Sequence, residues 1–219
     1  MIKAVIFDFD GVILESTQVK TEAFRQMFSH YPDLIDEIVA YHVANGGISR
    51  FVKFRYIYKN MLKQELTGEK ERELGEEFTR LALESVLNVP YVAGAREFLE
   101  RRRDDLLFFI ASGTPDQELE IVVRNRNMEK YFDGVYGSPR IKPEIIMMIL
   151  ENYRLNKDEV VFVGDANSDR LAASETGVEF IFRKHDGEQD INDRWVVDDL
   201  KNIEEILENI EQTKRSMTS

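Results

Sequence analysis

The chain opens with a short β-rich run, Ile2–Phe7, that stops abruptly in Asp8-Phe9-Asp10-Gly11. A run of that length and composition, bounded by polar residues and glycine, reads as a buried strand. From Gln18 to Leu87 the pattern changes. Val19–Phe28, Leu34–Ala44, Ile48–Leu66 and Glu69–Leu87 carry apolar residues at helical spacing, punctuated by Pro32, Gly46-Gly47 and Gly68. One strand followed by 70 residues of helix, with no strand between, leaves few architectures open.

Beyond Pro90, strand and helix alternate. Helices are predicted over Gly94–Arg103, Thr114–Asn127, Pro143–Tyr153 and Ser168–Thr176, with strands over Leu106–Ala111, Phe132–Tyr136, Glu159–Val163 and Val178–Phe182. Thr114 is expected to open its helix, with Pro115 next and Gln117 placed for a capping box. Gly177 stops the helix that precedes it. A last helix is predicted from Ile203 to Ile210, and the final residues look frayed. Repeated β-α units imply a parallel sheet. The expected fold class is therefore α/β: a Rossmann-like parallel sheet core with helices on both faces and an all-helical segment inserted after the first strand. The boundaries predicted are 1–16 and 88–219 for the core and 17–87 for the insert. A chain of 219 residues is long enough for such a core without disulfide staples.

Composition narrows the partners. The net charge is −12, which disfavours nonspecific contact with nucleic acid or an anionic membrane. Any anionic substrate must be drawn in by a local positive cluster or a bound cation. There is no cysteine, which removes disulfides, thiolate metal sites and a cysteine nucleophile together. The longest apolar runs, such as Ala4–Phe7 and Val160–Val163, are too short to cross a bilayer, and the N-terminus lacks the apolar region of a signal peptide. The expectation is a cytoplasmic protein, monomeric or a small homo-oligomer, acting on a small molecule.

Ligands of open α/β sheets gather beyond the carboxyl ends of the strands. The first strand ends in Asp8 and Asp10, whose alternate spacing on extended chain can turn both to one side. Taken singly they are acidic turn residues. The strand near Ala111 runs into Ser112-Gly113, a hydroxyl beside a glycine that permits close approach to an anion. Lys142 stands at the entrance to a helix, where a lone lysine is ordinarily solvated. Val160-Val161-Phe162-Val163-Gly164-Asp165 ends another strand in acid, with Asp169 four residues on, where it or Ser168 would also serve as a helix cap. Four carboxylates, a hydroxyl and a lysine thus lie on segments expected to leave the same sheet edge. Oxygen-rich ligation of this kind suits Mg²⁺ rather than zinc or copper.

In sequence order, Asp8-Phe9-Asp10-Gly11, Ser112, Lys142 and Gly164-Asp165 with Asp169 resemble the four signature motifs of the haloacid dehalogenase superfamily. The resemblance spans Met1 to about Phe182. It extends to the helical insert, which is similar to that superfamily's α-helical cap, in the branch of phosphoglycolate phosphatase-like and β-phosphoglucomutase-like enzymes. It implies a phosphatase for a small phosphorylated metabolite, with Asp8 as nucleophile, Asp10 as general acid and base, and Ser112, Gly113 and Lys142 holding the phosphoryl group. It implies Mg²⁺ held by Asp8, the Asp10 backbone carbonyl, Asp165 and Asp169. The second aspartate, Asp10, sets the chain apart from dehalogenases and phosphonatases. Gly164-Asp165 is closer to the phosphatase form than to the acidic pair usual in mutases. A sugar phosphomutase of the β-phosphoglucomutase type is the nearest alternative, and a non-catalytic Mg²⁺-binding phospho-acceptor or interaction module is the alternative of another class.

By the same resemblance, the stretch Gly46-Gly47-Ile48-Ser49-Arg50 with Lys53 reaches toward the leaving group, and Arg50 and Lys53 are candidates to pair with a second anionic group. The competing reading is a solvated helix face. Glu15 and Ser16 fall where a cap hinge would lie. His30, His42 and His185 need no ligand role, though His185 follows the last clear strand and is placed to line the crevice. Trp195 is expected to pack in the core.

Overall fold

Among the described residues, six strands form one sheet in which every pairing is parallel, in the order β3-β2-β1-β4-β5-β6. The structure is a computed structural model that describes residues 1–185 and 192–217. The strands are β1 Ala4–Phe7, β2 Leu107–Pro115, β3 Gly134–Ser138, β4 Val160–Gly164, β5 Glu179–Arg183 and β6 Val196–Val197. β1 is central and flanked by helices on both faces, which is why its sequence is a nearly continuous apolar run rather than an alternating one. Val5 and Phe7 enter a core shared with α5 (Ala95–Arg102), α6 (Asp116–Asn125) and α9 (Ile203–Met217), while Ala4 and Ile6 pack against α7 (Lys142–Asn152) and α8 (Asn167–Thr176).

Between β1 and β2 lie α1 (Thr17–Met27), α2 (Ile35–Ala44), α3 (Arg50–Tyr56), a π-helical turn over Ile57–Leu62 and α4 (Gly68–Asn88), followed by α5. Phe24, Phe54 and Phe78 close the interior of this helical layer, with the Phe24 ring centroid 5.7 Å from each of the other two. Chain order runs outward from β1 to β2 and β3, then crosses back through α7 to β4 on the other side of β1. That reversal creates a switch point at the carboxyl ends of β1 and its neighbours.

Several sequence expectations move. Thr114 does not open a helix: β2 continues to Pro115, α6 starts at Asp116, and the Thr114 hydroxyl is bound elsewhere. The single helix expected over Ile48–Leu66 becomes α3 and the π turn, ended by Lys63 in the left-handed region at φ 55°. The final helix continues beyond Ile210 to Met217, and residues 218 and 219, where fraying was expected, lie outside the described residues. The two-residue β6 was not foreseen. Trp195 is half-buried against the core, its Nε1 donating to Glu179 Oε1 at 2.9 Å. Among the described residues no helix is long and apolar enough to cross a membrane.

Candidate active site

Sheet register brings the motifs together. Phe7 is level with Ile110 of β2 and Val163 of β4, so Asp8 and Asp165, which follow β1 and β4, reach the same edge as Ser112 near the end of the adjacent β2. Gly11 turns the chain after β1 with φ +79°, and a side chain there would collide with the Asp165 carboxylate. The glycine thus lets the turn close onto the acid that ends β4.

Asp8, Asp165 and Asp169 each offer a carboxylate oxygen, and all three oxygens lie within 4.8 Å of one another. Lys142 reaches into the group from the start of α7, its Nζ 2.8 Å from Asp8 Oδ2 and also bonded to Asp169 Oδ1. Burial, reinforced by Asp169 and Asp10 and opposed by Lys142, pushes the Asp8 carboxyl up to about 7. Burial likewise raises Asp165 and Asp169, against the opposing pull of His185 and Lys142 respectively. Lys142 itself is penalised by burial, but Asp169 and Asp8 outweigh that and hold its ammonium above the ordinary lysine range. With all three carboxylates ionised, the one ammonium among them leaves a deficit of two positive charges, which is the charge of a magnesium ion. The hard, oxygen-only donor set fits that ion.

The helix-capping reading of Asp169 also holds. Its Oδ2 accepts from the Ala166 N–H at 3.0 Å while Oδ1 serves Lys142, so one side chain does both jobs. Ser168 does not cap; its hydroxyl donates to the Gly46 carbonyl at 2.9 Å and links α8 to the helical layer.

The Asp10 carboxylate is not part of the three-oxygen group. Ser16 Oγ donates to Oδ1 at 2.6 Å, while Lys20 Nζ and Thr114 Oγ1 donate to Oδ2 at 2.6 and 2.8 Å. Burial acts to raise this carboxyl, but the Lys20 ammonium and the three hydrogen bonds prevail and hold it below the usual carboxylate range. Lys20 has no place in the sequence reading, and Thr114 was read there only as the start of a helix. The signal was there in part: Ser16 and Lys20 are four apart at the start of α1, hence on one helix face. Ser112 is buried, lines the cavity and accepts from the Thr114 N–H at 3.1 Å. The space beside Gly113 is filled by the backbone of Gly47 and Ile48.

Asp8, Asp10 and Asp165 face a cavity of about 990 Å³ whose opposite wall is the helical layer, including His42, Arg50 and Lys53. Arg50 and Lys53 are both buried, which rules out a solvated helix face. The Arg50 guanidinium is held by Glu118 at 2.7 Å and Thr79 at 3.0 Å and lies over the Phe78 ring. Lys53 Nζ donates to the His42 carbonyl at 3.0 Å. Burial, aided by the nearby Lys20, drives the Lys53 ammonium down to about 7, and burial together with Lys53 drives His42 down to about 3. His185 lies on the rim, its Nε2 2.6 Å from Asp165 Oδ2, and Arg183 joins it to Glu15.

Residues 5–183 match the family profile described as haloacid dehalogenase-like hydrolase. The chain is 30% identical to a phosphorylated carbohydrates phosphatase of Thermotoga maritima, over 82% of this chain and 84% of that protein. It is 25% identical to a phosphoglycolate phosphatase of Vibrio parahaemolyticus, over 80% and 81% of the two. Among solved structures, β-phosphoglucomutase from Clostridium difficile has a similar fold, with a TM-score of 0.78 at 19% identity over 97% of this chain and 99% of that one. CbbY from Rhodobacter sphaeroides is also similar, with a TM-score of 0.73 at 15% identity over 93% and 96%.

Proposed function

Because the chain belongs to the haloacid dehalogenase-like hydrolase family, we propose that it is a magnesium-dependent phosphatase that hydrolyses a small phosphate monoester through a phosphoaspartate on Asp8. The observation that carries this reading is the division of labour between two aspartates two residues apart. Asp8 lies in the carboxylate group with Lys142 at 2.8 Å, whereas Asp10 is held apart from it by its own set of donors. One is built to attack, the other to move protons.

In the first step an Asp8 carboxylate oxygen bonds to phosphorus as the ester P–O bond breaks, and the leaving alkoxide takes a proton from Asp10, whose carboxyl the charge of the bound phosphate dianion raises into its protonated form. In the second, Asp10 takes a proton from water as the water oxygen bonds to phosphorus and the Asp8–P bond breaks. The products are the alcohol and inorganic phosphate, and both aspartates return to their starting states. Lys142 and Ser112, with the Gly113 backbone N–H, hold the phosphoryl oxygens. Asp8, Asp165, Asp169 and the Asp10 carbonyl would hold Mg²⁺, which when bound supplies the positive charge that admits a phosphate dianion to an acidic site. The helical segment 17–87 acts as a cap that excludes water during the first transfer. The 30% identical relative named a phosphorylated carbohydrates phosphatase supports a small phosphorylated metabolite as substrate.

The test is a phosphate-release screen over sugar phosphates, phosphoglycolate, nucleotides and pyrophosphate, with Mg²⁺ and with EDTA. Asp8→Asn is expected to lower turnover by at least about 10³-fold. Retention of phosphate in an isomerised product would identify a mutase. No release from any ester with Mg²⁺ present would refute the phosphatase.

A further inference from the structure

Lys20 is a buried lysine on α1, and its ammonium is bonded to two side chains from two other segments. Nζ donates to Asp10 Oδ2 at 2.6 Å and to Thr114 Oγ1 at 2.8 Å, and the Thr114 hydroxyl in turn donates to the same Oδ2 at 2.8 Å. Ser16, one helical turn before Lys20, donates to Oδ1 at 2.6 Å. A carboxylate offers about four acceptor positions. Three are therefore occupied by fixed donors, and one remains for a reacting proton. The donors come from the loop after β1, from α1 and from the end of β2, so the carboxylate is held by parts of both the helical layer and the sheet.

We infer that Lys20 is a positioning residue for Asp10: with Thr114 and Ser16 it forms a three-donor clamp that fixes the carboxyl group and leaves a single lone-pair position, which carries the proton given to the leaving oxygen and then accepts one from water. This inference rests on the phosphatase reading above, in which Asp10 moves both protons. The Lys20 ammonium is bonded to Asp10 and Thr114 rather than to the three-carboxylate group, so it acts through Asp10. A lysine that served only packing would hold the same bonds, so the test must follow proton transfer rather than overall activity.

An aryl phosphate and an alkyl phosphate separate the two roles. The p-nitrophenolate leaving group departs without a proton, whereas an alkoxide does not. Lys20→Met keeps the apolar length of the side chain and removes the donor. With the most active alkyl phosphate of the release screen, Lys20→Met is expected to lower kcat by about 10- to 100-fold with KM within about twofold, and no phosphoenzyme accumulates. With p-nitrophenyl phosphate (or acetyl phosphate, if the aryl ring is refused) the same variant releases one enzyme equivalent of leaving group rapidly. It then turns over slowly, and acid quenching traps the phosphoenzyme, because only the water step still needs Asp10. Thr114→Val, which removes the other donor to Oδ2, is expected to give the same signature more weakly, and it decides the question should Lys20→Met fail to fold. Equal losses on both esters without a burst would mean a structural role and would overturn the inference, as would a raised KM with kcat intact, or no effect. The parent reading fails differently: if the unaltered protein releases no phosphate from any ester, Asp10 has no proton to move and the inference falls with it.

Discussion

Arg50 and Glu118, 68 residues apart in sequence, form a buried ion pair, with Nη2 2.7 Å from Oε2 and each side chain 6% exposed. Thr79 Oγ1 donates to the same Glu118 oxygen at 2.8 Å, so the pair joins α3, α4 and α6. Burial acts to raise the Glu118 carboxyl, but Arg50 and Lys20, with the hydrogen bonds from Arg50 and Thr79, together outweigh it and keep the group below its usual range. Its contribution to stability is therefore present at neutral pH and lost as pH falls through that depressed value. Removing one partner strands the other charge in the interior. Arg50→Met and Glu118→Leu are each expected to cost about 3–5 kcal/mol in denaturant unfolding, and the double variant less than the two losses added together. Strict additivity would show that the two side chains do not act as a pair.

The sheet, the helical insert and the acidic strand ends were legible because each is written locally. β1 announces itself by an apolar run that ends in acid, and the insert by 70 residues of helical period. What stayed hidden depends on contacts between distant segments. Glu118 reads as one more acid on an amphipathic helix until Arg50 is brought to it. Thr114 looked like a helix cap because its local sequence favours one, and a tertiary bond to Asp10 prevailed. Lys20 is an ordinary helical lysine in sequence, and only its burial beside Asp10 gives it meaning. Arg50 and Lys53 were singled out for an anionic ligand, and the fold shows that Arg50 already has a carboxylate partner of its own.

Gly113 marks a close approach between the sheet and the backbone of the helical layer. A Cβ there would lie 2.6 Å from the Gly47 carbonyl oxygen and 2.9 Å from the Ile48 carbonyl carbon, and backbone cannot yield as a flexible side chain would. Gly113→Ala is expected to destabilise the protein by about 1–3 kcal/mol in thermal or urea unfolding. It should also lower kcat/KM, because the two walls of the cavity must separate to admit the methyl group. Wild-type stability and kinetics in this variant would show that the close approach is not needed.

Magnesium should stabilise the fold, and more so at higher pH. Without a cation, Asp8 is raised by burial to about 7. A carboxyl raised in this way favours the folded state at pH below its unfolded value, and that advantage is lost as pH rises through about 7. A divalent ion competes with those protons and removes the penalty. The stabilisation on replacing EDTA with millimolar Mg²⁺, read as a rise in Tm, is expected to be larger near pH 8 than near pH 5, and it amounts to about 2.7 kcal/mol where the concentration is 100 times Kd. Asp165→Asn should abolish most of it. An increase that is equal at both pH values, or that survives Asp165→Asn, would place the ion elsewhere.

Lys53 gives a prediction of opposite sign. Its ammonium is lowered from 10.5 to about 7 by burial, then by Lys20 and other nearby cations. Its bonds are to the His42 carbonyl and, at 3.4 Å, the His42 ring nitrogen. Below about pH 7 the lysine is charged in both folded and unfolded chains, and the folded state bears the full cost of burying it. Between about 7 and 10.5 the unfolded chain holds a proton that the folded one has shed, so stability rises with pH across that window. Lys53→Met should therefore be more stable than the unaltered protein near pH 6, by several kcal/mol at about 1.4 kcal/mol per pKa unit. The two unfolding curves should converge as pH approaches about 10. Parallel stability profiles over the whole window would mean that the ammonium is not desolvated, and that its burial against His42 carries no electrostatic cost.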